Sequence, residues 1–212
     1  MYSYISLLHD IYQMYYITTL GKMNWKDTKS LIRSDLSRFG NINKRKGIKY
    51  LICNASFKIT FWFRIGSYLR TKKGIIFKIL YYLVFLIHKH NQYVTGIQIP
   101  LGTKVGKGLC FSHFSCIVIN PHCIIGDDCT IFQGVTIGSV RGPRGGVPTI
   151  GNNVVISSGA KIIGKVYIGN NVMIGAGAVV VNDLPDNSVA VGIPAKVISE
   201  NGKINTEYYL IN

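Results

Sequence analysis

Acidic residues are scarce in this chain. Nine Asp and Glu face 24 Lys and Arg over 212 residues, for a formal charge of +15. The shortage lies in one half: residues 1–98 hold 16 basic and 3 acidic residues, a net of +13, and residues 99–212 hold 8 and 6, a net of +2. Such a half is either an ordinary solvated surface or one drawn to anionic lipid or to acidic or nucleotide-bearing ligands. No nucleic-acid-binding motif accompanies the charge, so nucleic acid is not expected as a partner. No apolar run reaches the roughly 20 residues that cross a bilayer. The longest follows Gly74 and contains Lys78. No basic leader opens the chain, and Asp10 interrupts its first apolar stretch, so no secretory signal is read and a cytoplasmic setting is expected. Five cysteines include no CxxC pair, so close metal ligands are lacking and no metal is expected.

What the chain does have is a six-residue repeat from 99 to 181. Its first place is aliphatic or Phe: Ile99, Val105, Phe111, Ile119, Ile125, Ile131, Ile137, Ile150, Ile156, Ile162, Ile168 and Ile174. Its fifth place is small or β-branched nearly throughout, Leu109 being the exception. Its fourth is often Gly, Asn or Asp, which tolerate positive φ at a corner. Short strands and corners at a fixed period describe a parallel β-helix, each coil burying its inner face against its neighbours. Cys110, Cys116, Cys123 and Cys129 fall on this lattice and read as small buried residues.

Upstream, residues 1–20 read as a helix with one buried face. Asp27 is the expected cap of a helix running to Phe39, with Ile32, Leu36 and Phe39 on one side and Gly40 beyond its end. Residues 41–49 read as a basic connection, followed by apolar segments 57–69 and 74–87 joined by Arg-Thr-Lys-Lys-Gly. These segments are a helical hairpin packed on the first coils or a second subunit, or else the second is a helix lying in a membrane interface. The expected division is a helical domain at 1–95, a β-helix at 96–198 and a polar tail at 199–212.

The repeat breaks twice, and breaks of a local rule gather at strained or functional places. At Phe111–Cys116 the corner place holds Phe114, and Ile117 and Val118 are added. A loop at 139–148 separates Ile137 from Ile150. With three hexads per turn, the hexad of Ile131 stacks on that of Phe111, and the loop is expected to leave at the same edge and overhang His113. His113 occupies an outward third place beside the first break. Imidazole titrates near neutrality and can take a proton from a hydroxyl, so His113 is the candidate general base. His9, His88, His90 and His122 have no comparable setting.

The stretch from Gly108 to Ile198 resembles the hexapeptide-repeat acyltransferases, in particular their serine acetyltransferase-like branch. Ile-Arg-Ser-Asp-Leu-Ser-Arg-Phe (32–39) and Thr-Phe-Trp-Phe-Arg-Ile-Gly-Ser-Tyr-Leu (60–69) also resemble surface-polysaccharide acetyltransferases. The resemblance implies a left-handed, three-sided prism, a homotrimer and acetyl transfer from acetyl-CoA to a hydroxyl, with CoA in a groove between subunits. His113 matches the family's base, and Gln98 stands where the family carries an orienting Asp. Ser139, Ser158, Gly159 and Ala176 match residues lining the pantetheine arm. Lys161, Lys196 and Arg141 are candidates for its phosphates.

The family's serine enzymes carry charged residues where this chain has Ser112, Gly146 and Val147, and an amino acid acceptor needs charged partners. The expected acceptor is therefore a surface-polysaccharide sugar, met by Ser112, Arg144 and Val147, and the corresponding setting is the cytoplasm with peripheral contact at the inner membrane face. Serine O-acetylation and a non-enzymatic β-helix scaffold at the membrane are the alternatives.

Overall fold

The structure is a computed structural model that describes residues 23–40, 44–142 and 145–210. Residues 1–20, expected to be helical, lie outside the described residues. From Ile97 the chain winds as a left-handed parallel β-helix whose short strands stack into three sheets. Sheet A stacks β1 (Ile97–Gln98), β4 (Ile117–Ile119), β7 (Thr136–Gly138), β10 (Lys161–Ile163) and β13 (Val179–Val180). Sheet B stacks β2 (Lys104–Val105), β5 (Ile124–Ile125), β8 (Thr149–Ile150) and β11 (Tyr167–Ile168). Sheet C stacks β3 (Cys110–Phe111), β6 (Thr130–Ile131), β9 (Val155–Ile156), β12 (Met173–Ile174) and β14 (Val189–Gly192), and the antiparallel β15 (Ala195–Ser199) closes it.

The hexad rule has a direct packing cause. First-place side chains point inward and stack in columns, as Phe111 on Ile131 on Ile156, all fully buried. Fifth-place Cys123, Cys129, Val135, Val154, Ala160 and Ala178 are equally buried, because the narrow prism has no room for a longer side chain there. The corner between sheets B and C repeats a polar ladder. Asp127 Oδ1 accepts from Lys107 N at 3.0 Å, Asn152 Oδ1 from Asp127 N at 2.7 Å, Asn170 Oδ1 from Asn152 N at 2.8 Å, and Asp186 Oδ1 from Asn170 N at 2.7 Å. Each short polar side chain thus satisfies an amide of the preceding coil that strand pairing leaves free.

Four helices precede the prism: α1 (Trp25–Ser37), α2 (Lys44–Cys53), α3 (Ala55–Arg70) and α4 (Ile75–Thr95). The cap of α1 is Asn24, whose side chain accepts from Asp27 N at 2.8 Å; Asp27 sits inside the first turn. The sequence favoured Asp27 because Asp suits both places, and only the backbone distinguishes them. Residues 44–49, expected as a connection, begin α2. The two apolar segments are the hairpin α3–α4, packed on β3 and β1. No helix among the described residues is long and apolar enough to cross a membrane.

Buried polar groups pin the helices to the first coils. Asp35 of α1 meets Arg64 of α3, and Asp35 Oδ1 also accepts from Leu109 N at 2.9 Å. His88 Nε2 lies 2.8 Å from the Ile99 carbonyl, to which Gln92 Nε2 also donates at 2.9 Å. His88 is therefore a structural histidine. The stretch after Ser199 carries a short helix, α5 (Gly202–Glu207). It rests on the prism: Asn153 Nδ2 donates to Thr206 Oγ1 at 2.8 Å and Gly202 N to Asn187 O at 2.8 Å.

Candidate active site

Strand pairing locates the two breaks. Ile97 pairs Ile117, and Ile119 pairs Ile137. The two added residues therefore swell the corner at 112–116, where sheet C passes into sheet A. The loop at 139–148 follows β7 and leaves where sheet A passes into sheet B. The expectation of a shared edge is wrong. Ile131 does stack on Phe111, but the loop begins one strand later than its hexad, which carries it around one side of the prism. Its packing is also toward later coils: a Cβ on Gly164 would meet Val140 at 3.3 Å, and one on Gly146 would meet Lys165 at 2.7 Å.

His113 lies exposed in the swollen corner. Its ring stands 5.8 Å from that of Phe132, tilted by 55°. Above it the C-to-A edge continues as a ladder of small corners. Gly134 N donates to Ser115 O at 3.0 Å, Gly159 N to Gln133 O at 2.9 Å and Gly177 N to Ser158 O at 2.9 Å. Gly134, Gly159 and Gly177 have φ of +72°, +73° and +68°, which glycine adopts without strain. Their missing side chains leave backbone bare along the edge. Ser158, Gly159 and Ala176 thus fall on the same edge as His113.

The other candidates are dispersed. Gln98, on β1, is exposed and neighbours Val118 across the sheet. No hydrogen bond joins it to His113 among the described residues. Ser139 lies on the A-to-B edge, where its hydroxyl accepts from Asn120 Nδ2 at 3.2 Å. Arg141 is exposed in the loop, Val147 is half-buried beside Pro148, and Arg144 lies outside the described residues. Lys161 Nζ is engaged, donating to the Gly134 carbonyl at 2.6 Å. Lys196 is exposed on β15, paired with Val191. Ser112 is exposed next to His113, its amide donating to Ile131 O at 3.0 Å.

Two residues escaped the sequence reading. Phe132 was within reach, since it follows Ile131, whose partner Phe111 precedes Ser112 and His113. Tyr209 was not: its ring meets Phe132 edge-on at 5.7 Å and 90°, but it lies in a segment without periodicity. Arg38 Nη2 donates to the Tyr209 carbonyl at 2.9 Å and to Thr130 Oγ1 at 2.8 Å, tying this end of the chain beside the corner. Three lattice cysteines are buried as expected, but Cys116 is exposed in the swollen corner.

A left-handed β-helix built on this hexad, with an exposed imidazole in its swollen C-to-A corner, fits the hexapeptide transferase class. Residues 148–182 match the family described as bacterial transferase hexapeptide (six repeats). The chain is 37% identical over 161 residues to a serine acetyltransferase of Synechococcus elongatus, covering 74% of this chain and 63% of the relative. It is 43% identical over 124 residues to the serine acetyltransferase of Staphylococcus xylosus, covering 58% and 57%. The solved serine acetyltransferase of Neisseria gonorrhoeae superposes with a TM-score of 0.68 at 28% identity, over 82% of this chain and 66% of that one. These likenesses fit the hexapeptide-repeat acyltransferase superfamily and its serine acetyltransferase-like branch. The chain spans 57 to 63% of the length of these two curated relatives.

These relatives correct the expected acceptor. The surface-polysaccharide reading rested on lost charged partners at Ser112, Gly146 and Val147. Proteins 37–43% identical to this chain are serine acetyltransferases, and similarity carried over whole coils outweighs three positions. The saccharide partner falls with that reading.

Proposed function

We propose that this chain is an acetyl-CoA-dependent serine O-acetyltransferase working by direct transfer. The observation that carries the reading is the C-to-A edge, where the exposed His113 stands at one end of the bare-backbone ladder formed by Gly134, Ser158–Gly159 and Ala176–Gly177. Small side chains there admit a slender thioester arm close to the backbone. His113 takes the proton of the serine hydroxyl, and the oxygen attacks the thioester carbonyl. Backbone N–H groups at the corner steady the oxyanion. The carbon–sulfur bond then breaks, and the thiolate of CoA recovers the proton from the imidazolium.

A complex with CoA is among the solved serine acetyltransferases that this fold matches, with a TM-score of 0.66 at 26% identity. That likeness supports CoA as the carrier. Arg141 and Lys196 are the exposed cations proposed for its phosphates; Lys161 is already engaged by Gly134. The proposed assembly is a homotrimer. Ile124 and Tyr167, 41% and 49% exposed on the outer side of sheet B, are apolar surface of the kind subunit contacts cover. Gln98, Ser112 and Val147 supply no charge to serine's ammonium or carboxylate, so a high KM for serine is part of the reading.

The test is thiol release from acetyl-CoA with L-serine as acceptor, together with detection of O-acetylserine. Serine-dependent release and product support the proposal. Release without serine dependence, or none at saturating serine, overturns it.

A further inference from the structure

Helix α4 is amphipathic the wrong way round for a soluble monomer. Tyr81, Val84, His88, Asn91 and Gln92 face α3 and the first coil and are buried. On the other side Ile76, Ile79, Leu80, Leu83, Leu86 and Ile87 form a stripe at helical spacing, each between 39% and 68% exposed. Exposed apolar surface this continuous marks a contact site.

Charge indicates what it contacts. Between Asp35 and Asp127 the chain has 14 Lys and Arg and no Asp or Glu. Lys73 and Lys78 are exposed at the start of α4. Beside them opens a cleft of about 430 Å³ lined by Arg70, Lys72, Lys78 and Tyr82. The helix begins at Gly74 with no side chain capping its free amides, so that end is electropositive as well. A second copy of this face would set lysine against lysine with no carboxylate to pair them. Nucleic acid would use the lysines but leave the aliphatic stripe in water. An anionic bilayer satisfies both, taking the stripe into the acyl boundary and the lysines against its phosphates.

We propose that the α4 face docks on an anionic membrane surface, with the helix lying in the interface plane. The proposal stands independently of the acetyl-transfer reading. The test is co-sedimentation with vesicles of phosphatidylcholine alone or mixed with phosphatidylglycerol, at low and high salt. The protein should pellet with the mixed vesicles at low salt, and salt should weaken that binding. Lys73→Glu with Lys78→Glu should weaken it by roughly 30-fold or more, about fivefold for each lysine removed. Leu83→Asp should abolish it. Thermal melts of each variant establish that the fold is intact, and the lysine pair, being exposed, keeps the test independent of core packing. Equal binding to neutral vesicles, or none to anionic ones, overturns the proposal. So does sedimentation in which Leu83→Asp dissociates an oligomer that ignores vesicles, since the stripe is then a self-contact.

Discussion

Arg64 holds Asp35 by two parallel bonds, Nε to Oδ2 at 2.8 Å and Nη2 to Oδ1 at 3.0 Å, with both side chains buried. The same guanidinium donates to the Val105 carbonyl at 2.8 Å and the Gly106 carbonyl at 2.5 Å. Helices α1 and α3 are thereby registered on the first coil through one group. Burial pushes the Asp35 carboxyl above its ordinary value, and Arg64 with the amides of Leu109 and Gly108 pulls it back only in part. Desolvation therefore outweighs attraction: the pair fixes register more than it adds stability.

That balance makes a prediction with two halves. Arg64→Ala should cost about 3–5 kcal/mol, because it strands a buried carboxylate. Replacing both, as Asp35→Leu with Arg64→Met, should cost much less. Denaturant melts of the two variants decide it; equal losses would mean that the charge pair itself supplies the stability.

The cysteines give a prediction about pH. Burial pushes the Cys123 and Cys129 thiols up to about 12, and raises Cys110 as well. A thiol with so high a value is about one part in 10⁴ thiolate at pH 8, and the thiolate is the reactive form. Cys53 and Cys116 are exposed. A disulfide reagent at pH 8 should therefore titrate two thiols in the native protein and five after denaturation. Cys116 lies three residues from His113, so a bulky adduct there should block acetyl transfer, and Cys116→Ser should protect it. Rapid titration of four or five native thiols would refute the packing described.

The prism was legible because its rule is local: a first-place aliphatic recurring every six residues needs no knowledge of the rest of the chain. His113 was legible because it sits where that rule fails. The edge from which the loop leaves was misplaced, because the loop follows Ile137, which opens the next hexad and so lies on sheet A, one strand past Ile131. The contact of Tyr209 with Phe132 joins residues 77 apart through a tail without a period, so no pattern announced it. The acceptor was misread because absent charges at three places say less than similarity across whole coils.

The edge ladder predicts how the thioester arm is admitted. Ala176 is exposed and needs no positive φ, so Ala176→Trp should fold normally while filling the space beside Gly159 and Gly177. The expected result is a raised KM for acetyl-CoA with little change in kcat, the signature of lost binding alone. Steady-state kinetics with acetyl-CoA varied at fixed serine would check it; an unchanged KM would move the arm to another edge.

The last prediction separates the proposed base from its proposed orienter. His113 contacts Phe132 and nothing in the fold requires its ring, since it is exposed and leaves no buried group unpaired when removed. His113→Ala should therefore melt as the parent does and still bind CoA, while kcat falls by about 10²–10⁴, the usual loss for a general base. Gln98 shares no hydrogen bond with His113 among the described residues, and a neutral amide stabilises an imidazolium less than a carboxylate does. Gln98→Ala should accordingly cost much less than the loss of His113. Gln98→Asp should raise kcat if the carboxylate reaches the ring. The three variants are to be compared by single-turnover acetyl transfer with CoA binding measured alongside. A His113→Ala enzyme turning over at the parent's rate would remove this histidine from the chemistry, and a loss in Gln98→Ala as large as that in His113→Ala would show that the amide orients the base in the working complex.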